Sequence, residues 1–199
     1  MTAPPPAASS ASPAGSLAGR RIVVGLSGAI ACYKTATVVS QLIQQGAEVR
    51  CLMTEAATRF LGPLTLQSLT GRAVLTSIWQ SDDHPDAQHI AAARWCDAML
   101  IAPASADMLA RLAHGLTDNV VALIAAALPQ GTPLLLAPAM NAEMWQNPIT
   151  QRNVATLTDT LGAGLIGPDT GWQACRTEGA GRMSDPEVIY QSLAEALSR

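Results

Sequence analysis

Few side chains in this sequence could carry covalent or proton-transfer chemistry, and their spacing narrows what they could do. Cys32, Cys51, Cys96 and Cys175 include no C-x-x-C pair, and His84, His89 and His114 lack metal-ligand spacing, so no metal site is expected. Cys32, Cys51 and Cys96 fall in helix or strand patterns and read as reduced core thiols of a cytoplasmic protein. Cys175 is followed by polar and glycine-rich residues, the composition of a mobile lid over a site. His89 is by type either a helix or core histidine or a proton carrier near neutral pH. His114 precedes Gly115 at an expected helix end, where a cation suits the dipole, and His84 in a polar loop carries no role.

A second set of residues is small rather than reactive. Short apolar runs are each followed by hydroxyl, glycine or amide residues: Ser27-Gly28, Thr54-Glu55, Ser105-Ala106-Asp107 and Ala139-Met140-Asn141. Such residues cap helices, and a helix N-terminus presents free N–H groups and a positive dipole end to an anion. The Gly25-x-x-Gly28 turn lacks the third glycine of a dinucleotide fingerprint, and no acidic residue closes the next run. That pattern disfavours NAD and fits a mononucleotide phosphate held by Ser27, Thr54 and Ser105.

The elements that must position these loops alternate. Runs at Ile22–Gly25, Ala98–Ala102, Pro133–Ala137 and Gly164–Ile166 have the length of strands and are apolar on both faces, as in a parallel sheet covered twice, and Glu48–Met53 reads as a further strand. Helical spacing is expected at Ile30–Gln45 (stopped by Gly46), from Glu55, and over 86–95, 105–114, 119–128, 142–161 and 186–197, the last opened by a capping box at Ser184–Glu187. The expected fold is α/β: a doubly wound, Rossmann-like or flavodoxin-like parallel sheet with helices on both faces. Residues 1–18, rich in Pro, Ala and Ser, read as a disordered tail, and 19–199 as one domain.

Composition excludes several function classes. The net charge of −3 gives no footprint for nucleic acid or an acidic membrane. The 24 uncharged positions of 119–142 are broken by Pro129, Gly131 and Pro133 into pieces too short to span a bilayer. Yet 49% of the residues are hydrophobic and 14% charged, against about 25% charged in an ordinary soluble domain. Some of that apolar surface needs a cover.

Taken together, the loops resemble those of the flavin-containing cysteine decarboxylases. The segments Gly25–Lys34, Met53–Phe60 and Pro103–Asp107 are similar to the family's flavin loops, and Pro138–Trp145 matches its P-x-M-N-x-x-M-W substrate motif in full. His89 falls at the family's active-site histidine. Gly167–Cys175 and Gly179–Met183 resemble the flap of the phosphopantothenoylcysteine decarboxylase branch, with Cys175 at its catalytic cysteine. The likeness covers about residues 20–198 and extends to the N-terminal half of bifunctional bacterial coenzyme A enzymes. One departure stands at the flap centre: the family's glycine after the cysteine is Arg176 here.

The resemblance implies FMN as cofactor, bound by Ser27, Gly28, Thr54, Phe60, Ser105, Ala106, Asp107 and Ala139. It implies phosphopantothenoylcysteine as substrate, met by Met140, Asn141, Ala174, Arg182 and Met183, with Arg176 a further candidate for its phosphate. The implied route oxidises the substrate thiol to a thioaldehyde with His89 as base. CO₂ is then lost while Asn141 holds the carboxylate, and the enethiol is reduced with Cys175 as proton donor. Relatives form trimers or shells of trimers with the site between subunits, which would cover the apolar surface. The alternatives are a peptidyl-cysteine decarboxylase, a flavin prenyltransferase, or a non-catalytic flavin-binding regulatory protein.

Overall fold

A computed structural model describes residues 17–79 and 88–198. Five strands, β1 (Arg21–Leu26), β2 (Glu48–Met53), β3 (Ala98–Ala104), β4 (Leu134–Pro138) and β5 (Gly164–Leu165), form one parallel sheet in the order β2-β1-β3-β4-β5. Because side chains alternate along a strand, a run that is apolar throughout must be covered on both faces. Ile22, Val24, Leu26, Leu100 and Leu135 belong to one apolar core, and Val23, Met99, Ile101, Leu134 and Leu136 to the other. The first core is closed by α1 (Cys32–Gln44), α3 (Pro63–Thr70) and α9 (Pro186–Ser198). The second is closed by α4 (Gln88–Trp95), α5 (Ala106–His114), α6 (Val120–Ala126) and α8 (Pro148–Leu161). Two short helices, α2 (Glu55–Thr58) and α7 (Ala142–Gln146), follow β2 and β4.

The strand order reverses between β1 and β3, so the crevice outside their carboxyl ends is the place where such sheets bind ligands. At the opposite end Asp97 fixes the register of the same two strands. Its carboxylate accepts from the backbone N–H of Arg21 at 2.8 Å and from the Arg21 guanidinium at 2.8 Å, while its own N–H donates to Arg21 O at 2.7 Å. The Arg21 side-chain bond holds the Asp97 carboxyl below its usual pKa. Lowered in the folded state, that pKa contributes stability that is complete above about pH 5 and disappears as pH falls through the depressed value. Asp97→Asn is therefore expected to lower Tm at pH 7, with the gap from the parent closing in acid. A gap that stays constant from pH 7 to pH 3 would contradict this.

Departures from the expected elements have local causes. Leu17, assigned to the tail, is 2% exposed and packs in the first core, and Gly19 N–H donates to Gly46 O at 3.0 Å. Residues 1–16 of the tail and His84 lie outside the described residues. The single helix expected over 142–161 is two, because Pro148 drives Asn147 into an extended conformation (φ −59°, ψ 128°) and has no N–H to continue the ladder. The helix expected from Glu55 is likewise two, interrupted before Pro63. The capping box before α9 does not form: Ser184 Oγ donates instead to Asp169 Oδ1 at 2.9 Å. The last pair of strands was not expected as strands at all. β6 (Asp169–Trp172) and β7 (Glu178–Arg182) make an antiparallel hairpin apart from the main sheet.

Candidate active site

A cavity of about 590 Å³ opens at the carboxyl edge of the sheet, within the range of small-molecule sites. Its floor is the β1–α1 loop, Gly28–Ala31. One wall is Ser105 and Ala106 at the start of α5, another is Ala139–Asn141 after β4, and the hairpin supplies Gln173–Cys175 and Gly181–Met183 as a lid. Ten residues expected at the site therefore meet here: Gly28, Ser105, Ala106, Ala139, Met140, Asn141, Ala174, Cys175, Arg182 and Met183.

The local chemistry explains the floor. Helix α1 starts after Ala31 without the side-chain cap that α2, α5, α6, α7 and α8 have; Cys32 N–H donates instead to Ala29 O at 3.1 Å and Lys34 N–H to Ala31 O at 2.9 Å. Gly28 lets that loop close on α2, since a Cβ there would lie 2.5 Å from Ala56 Cβ. The start of α5 differs, with Ser105 Oγ accepting from Met108 N–H at 3.2 Å. Ser27 is buried behind this floor. Its Oγ donates to Pro103 O at 2.8 Å and accepts from Ser105 N–H at 2.8 Å, joining the loops after β1 and β3. Its hydroxyl is thus a strut between the loops rather than part of the cavity wall.

Four other expected residues do not reach the wall either. Thr54 caps α2, its Oγ1 accepting from Ala57 N–H at 3.2 Å, and Phe60 just beyond is 49% exposed. Asp107 turns along α5 to Arg111 Nε at 2.8 Å, and Arg111 also reaches Asp118. His89 sits half-buried in the first turn of α4, a helix that packs against the second core.

The lid is held down by a residue that the sequence did not single out. Gln173 is 7% exposed. Its Oε1 accepts from Ala142 N–H at 3.1 Å, and its Nε2 lies 3.0 Å from Ala180 O and 3.3 Å from Gly179 O. Gly181 makes the close approach possible, since a Cβ there would meet Met140 O at 2.4 Å, and Met140 N–H donates to Gly181 O at 3.0 Å. Asn141 caps α7, its Oδ1 accepting from Met144 N–H at 2.9 Å. At the lid tip Arg176 has φ 65°, a left-handed conformation unusual for a side chain with a Cβ. Cys175 beside it is exposed, its Sγ 2.9 Å from Thr177 Oγ1.

Lys34 is the second unanticipated wall residue. Its Nζ donates to Met183 O at 3.0 Å and to Asp185 Oδ1 at 2.9 Å, and Arg182 approaches the other Asp185 oxygen at 3.2 Å. The Lys34 bond, seconded by both cations' charge, holds the Asp185 carboxyl below its usual range. The hint in the sequence was that Lys34 is the one charged residue in the helix Cys32–Gln44.

Burial separates the four thiols. Desolvation pushes Cys51 up to about 12 and Cys96 to about 11, and raises Cys32 as well. Iodoacetamide at pH 8 is expected to label Cys175 first in the native protein, the other three reacting only on unfolding. Equal labelling of all four, read by peptide mass, would contradict the packing.

The model for the family described as Flavoprotein matches residues 10–198. This chain belongs to that family. The flavoprotein relatives include the coenzyme A biosynthesis bifunctional protein of Haemophilus influenzae, 45% identical over 92% of this chain, and the probable phosphopantothenoylcysteine decarboxylase of Streptococcus mutans, 44% identical over 89%. The chain spans 45% of the first protein's length and 99% of the second's. Among solved structures, a cysteine-to-serine mutant of PPC decarboxylase complexed with pantothenoylaminoethenethiol superposes with a TM-score of 0.80. It is 34% identical, over 91% of this chain and the whole of that one. The expected α/β fold is the fold of these flavoproteins.

Proposed function

We propose that this flavoprotein decarboxylates 4′-phosphopantothenoylcysteine to 4′-phosphopantetheine for coenzyme A biosynthesis, with FMN as cofactor. The observation that carries this reading is the convergence of Asn141 and Cys175 on one cavity whose floor is an uncapped helix N-terminus. The floor fits a flavin mononucleotide. Gly28 and Ala29 admit a close ring, and the N–H groups of α1 and α5 are suited to its phosphate and polar edge. When bound, FMN supplies the reversible two-electron sink that loss of CO₂ from a cysteine carboxylate requires.

The protein's own residues then divide the work. Asn141, its Oδ1 committed to Met144 N–H, offers its amide NH₂ to the substrate carboxylate. A neutral donor orients that group without an extra charge that would hold CO₂ in place. Met140, Met144 and the lid exclude water, which favours departure of a neutral gas from a charged group. His89 takes the thiol proton as the sulfur-bearing carbon is oxidised, and Cys175 delivers a proton when the enethiol is reduced. Arg182 and Lys34, at the cavity rim, attract the substrate phosphate.

His89 joins this site through assembly. Ile30, Tyr33, Phe60, Leu64 and Met144 are large apolar side chains left exposed in one chain. A trimer, or a multiple of trimers, covers them and brings α4 of one subunit to the cavity of another. Buried reduced thiols support a cytoplasmic setting. Substrate labelled in the cysteine carboxyl is the direct test. Label is expected in CO₂ with the FMN-loaded protein and not with the flavin-free protein; label retained in both would refute the proposal.

A further inference from the structure

We propose that Thr177 is a positioning residue for Cys175, holding the sulfur and stabilising it once its proton has been given up. The inference rests on the reading of Cys175 as the acid that closes the reaction. Thr177 Oγ1 lies 2.9 Å from Cys175 Sγ, and Gln173 Oε1 lies 3.6 Å from the same sulfur. The turn between β6 and β7 enforces this arrangement. Gln173 N–H donates to Thr177 O at 2.9 Å, Arg176 N–H donates to Gln173 O at 2.9 Å, and the left-handed Arg176 folds the chain back between Cys175 and Thr177. Gln173 is itself fixed to the start of α7. Thus the sulfur is held by a turn anchored to the wall of the cavity rather than by a free loop tip.

The two partners have different capacities. An amide oxygen only accepts, so Gln173 Oε1 can take only the thiol's own hydrogen. A hydroxyl both accepts and donates, so Thr177 can serve the thiol and, after proton transfer, donate its O–H to the thiolate. In that transfer the S–H bond of Cys175 breaks and a C–H bond forms at the nitrogen-bearing alkene carbon of the enethiol. The sulfur-bearing carbon takes the hydride that a reduced flavin, when bound, would supply, leaving the product thiol and a Cys175 thiolate that solvent reprotonates. A hydrogen bond that is stronger to the ion than to the neutral thiol speeds this step.

Thr177→Val keeps the shape of the side chain and removes its hydroxyl; Thr177→Ser restores the hydroxyl. Arg176, Glu178, Lys34 and Arg182, the charged groups on the turn and cavity wall, stay the same in both variants. In a single turnover of the FMN-loaded protein, Thr177→Val is expected to slow enethiol reduction about tenfold while CO₂ release stays near the parent rate. It is also expected to move the pH profile of Cys175 alkylation by iodoacetamide to higher pH. Thr177→Ser is expected to recover both. Cys175→Ser, measured alongside, separates the two levels. If that variant reduces the enethiol normally, the role of Cys175 fails. If it blocks reduction but Thr177→Val alters neither reduction nor the alkylation profile, or Thr177→Ser does not rescue, the role of Thr177 fails.

Discussion

With Cys175→Ser, the FMN-loaded protein is expected to oxidise and decarboxylate its substrate and then stop, so that the enethiol accumulates in place of phosphopantetheine. A hydroxyl is a far weaker acid than a thiol, and loss of a positioned general acid costs roughly 10²–10⁴-fold. The lid should still form. Gln173, Gly181 and the Met140 backbone anchor it to the cavity wall, and none of those contacts uses the sulfur. Stability close to that of the parent, together with CO₂ release and no saturated product, is thus the expected set. Full turnover to phosphopantetheine by the variant would remove Cys175 from the mechanism.

His89→Asn is expected to act one step earlier. Residue 89 lies outside the cavity wall of its own chain, so the variant should keep its flavin absorbance. Without an imidazole to take the thiol proton, oxidation fails and with it the CO₂ release that oxidation makes possible, again by roughly 10²–10⁴-fold. This residue also tests the assembly. In a site shared between subunits, co-assembled His89→Asn and Cys175→Ser chains place an intact histidine beside an intact cysteine in some cavities. Partial recovery of phosphopantetheine formation is then expected from two inactive proteins. No recovery in mixed oligomers, or normal CO₂ release from His89→Asn alone, would contradict the role given to it.

Much of the molecule was legible in the sequence because its signals are redundant. Strands β1, β3 and β4 are apolar along nearly their whole length, and β1 to β4 are each followed by residues suited to a helix start, so the parallel α/β architecture and its ligand edge follow together. Gly46 ends α1 in a left-handed conformation (φ +83°), as its place after the helical run predicted. Breaks within helices were less legible, because Pro63 and Pro148 can open a helix as readily as end one. The hairpin was hidden for another reason. Its strands carry glycines and polar residues, and its register includes an irregularity at Asp169–Thr170, so no alternation marks it as β structure.

Individual site residues divide along similar lines. Asn141, Ser105 and Gly28 are fixed by backbone demands, as helix caps and a close approach, and all three line the cavity. Ser27 shows the limit of that reasoning: its hydroxyl fits an anion site by type, yet it is consumed by the joint between two loops. Gln173 and Lys34 escaped notice because a single amide or lysine carries no periodic signal; what gives them a role is burial and the partners that folding brings to them. Arg176 stood out as a departure from the glycine that the resemblance places after the cysteine. A position suited to glycine does adopt a left-handed φ here, with arginine in place.

The measurement that bears most directly on the account is the mass of the product formed when the purified, FMN-loaded protein meets 4′-phosphopantothenoylcysteine. Loss of about 44 mass units, CO₂ alone, is the expected result, because oxidation and the closing reduction cancel and FMN ends as it began. Loss of about 46 would mean that the cycle stops at the enethiol. An unchanged substrate would contradict the central claim and leave a protein that binds a flavin without using it.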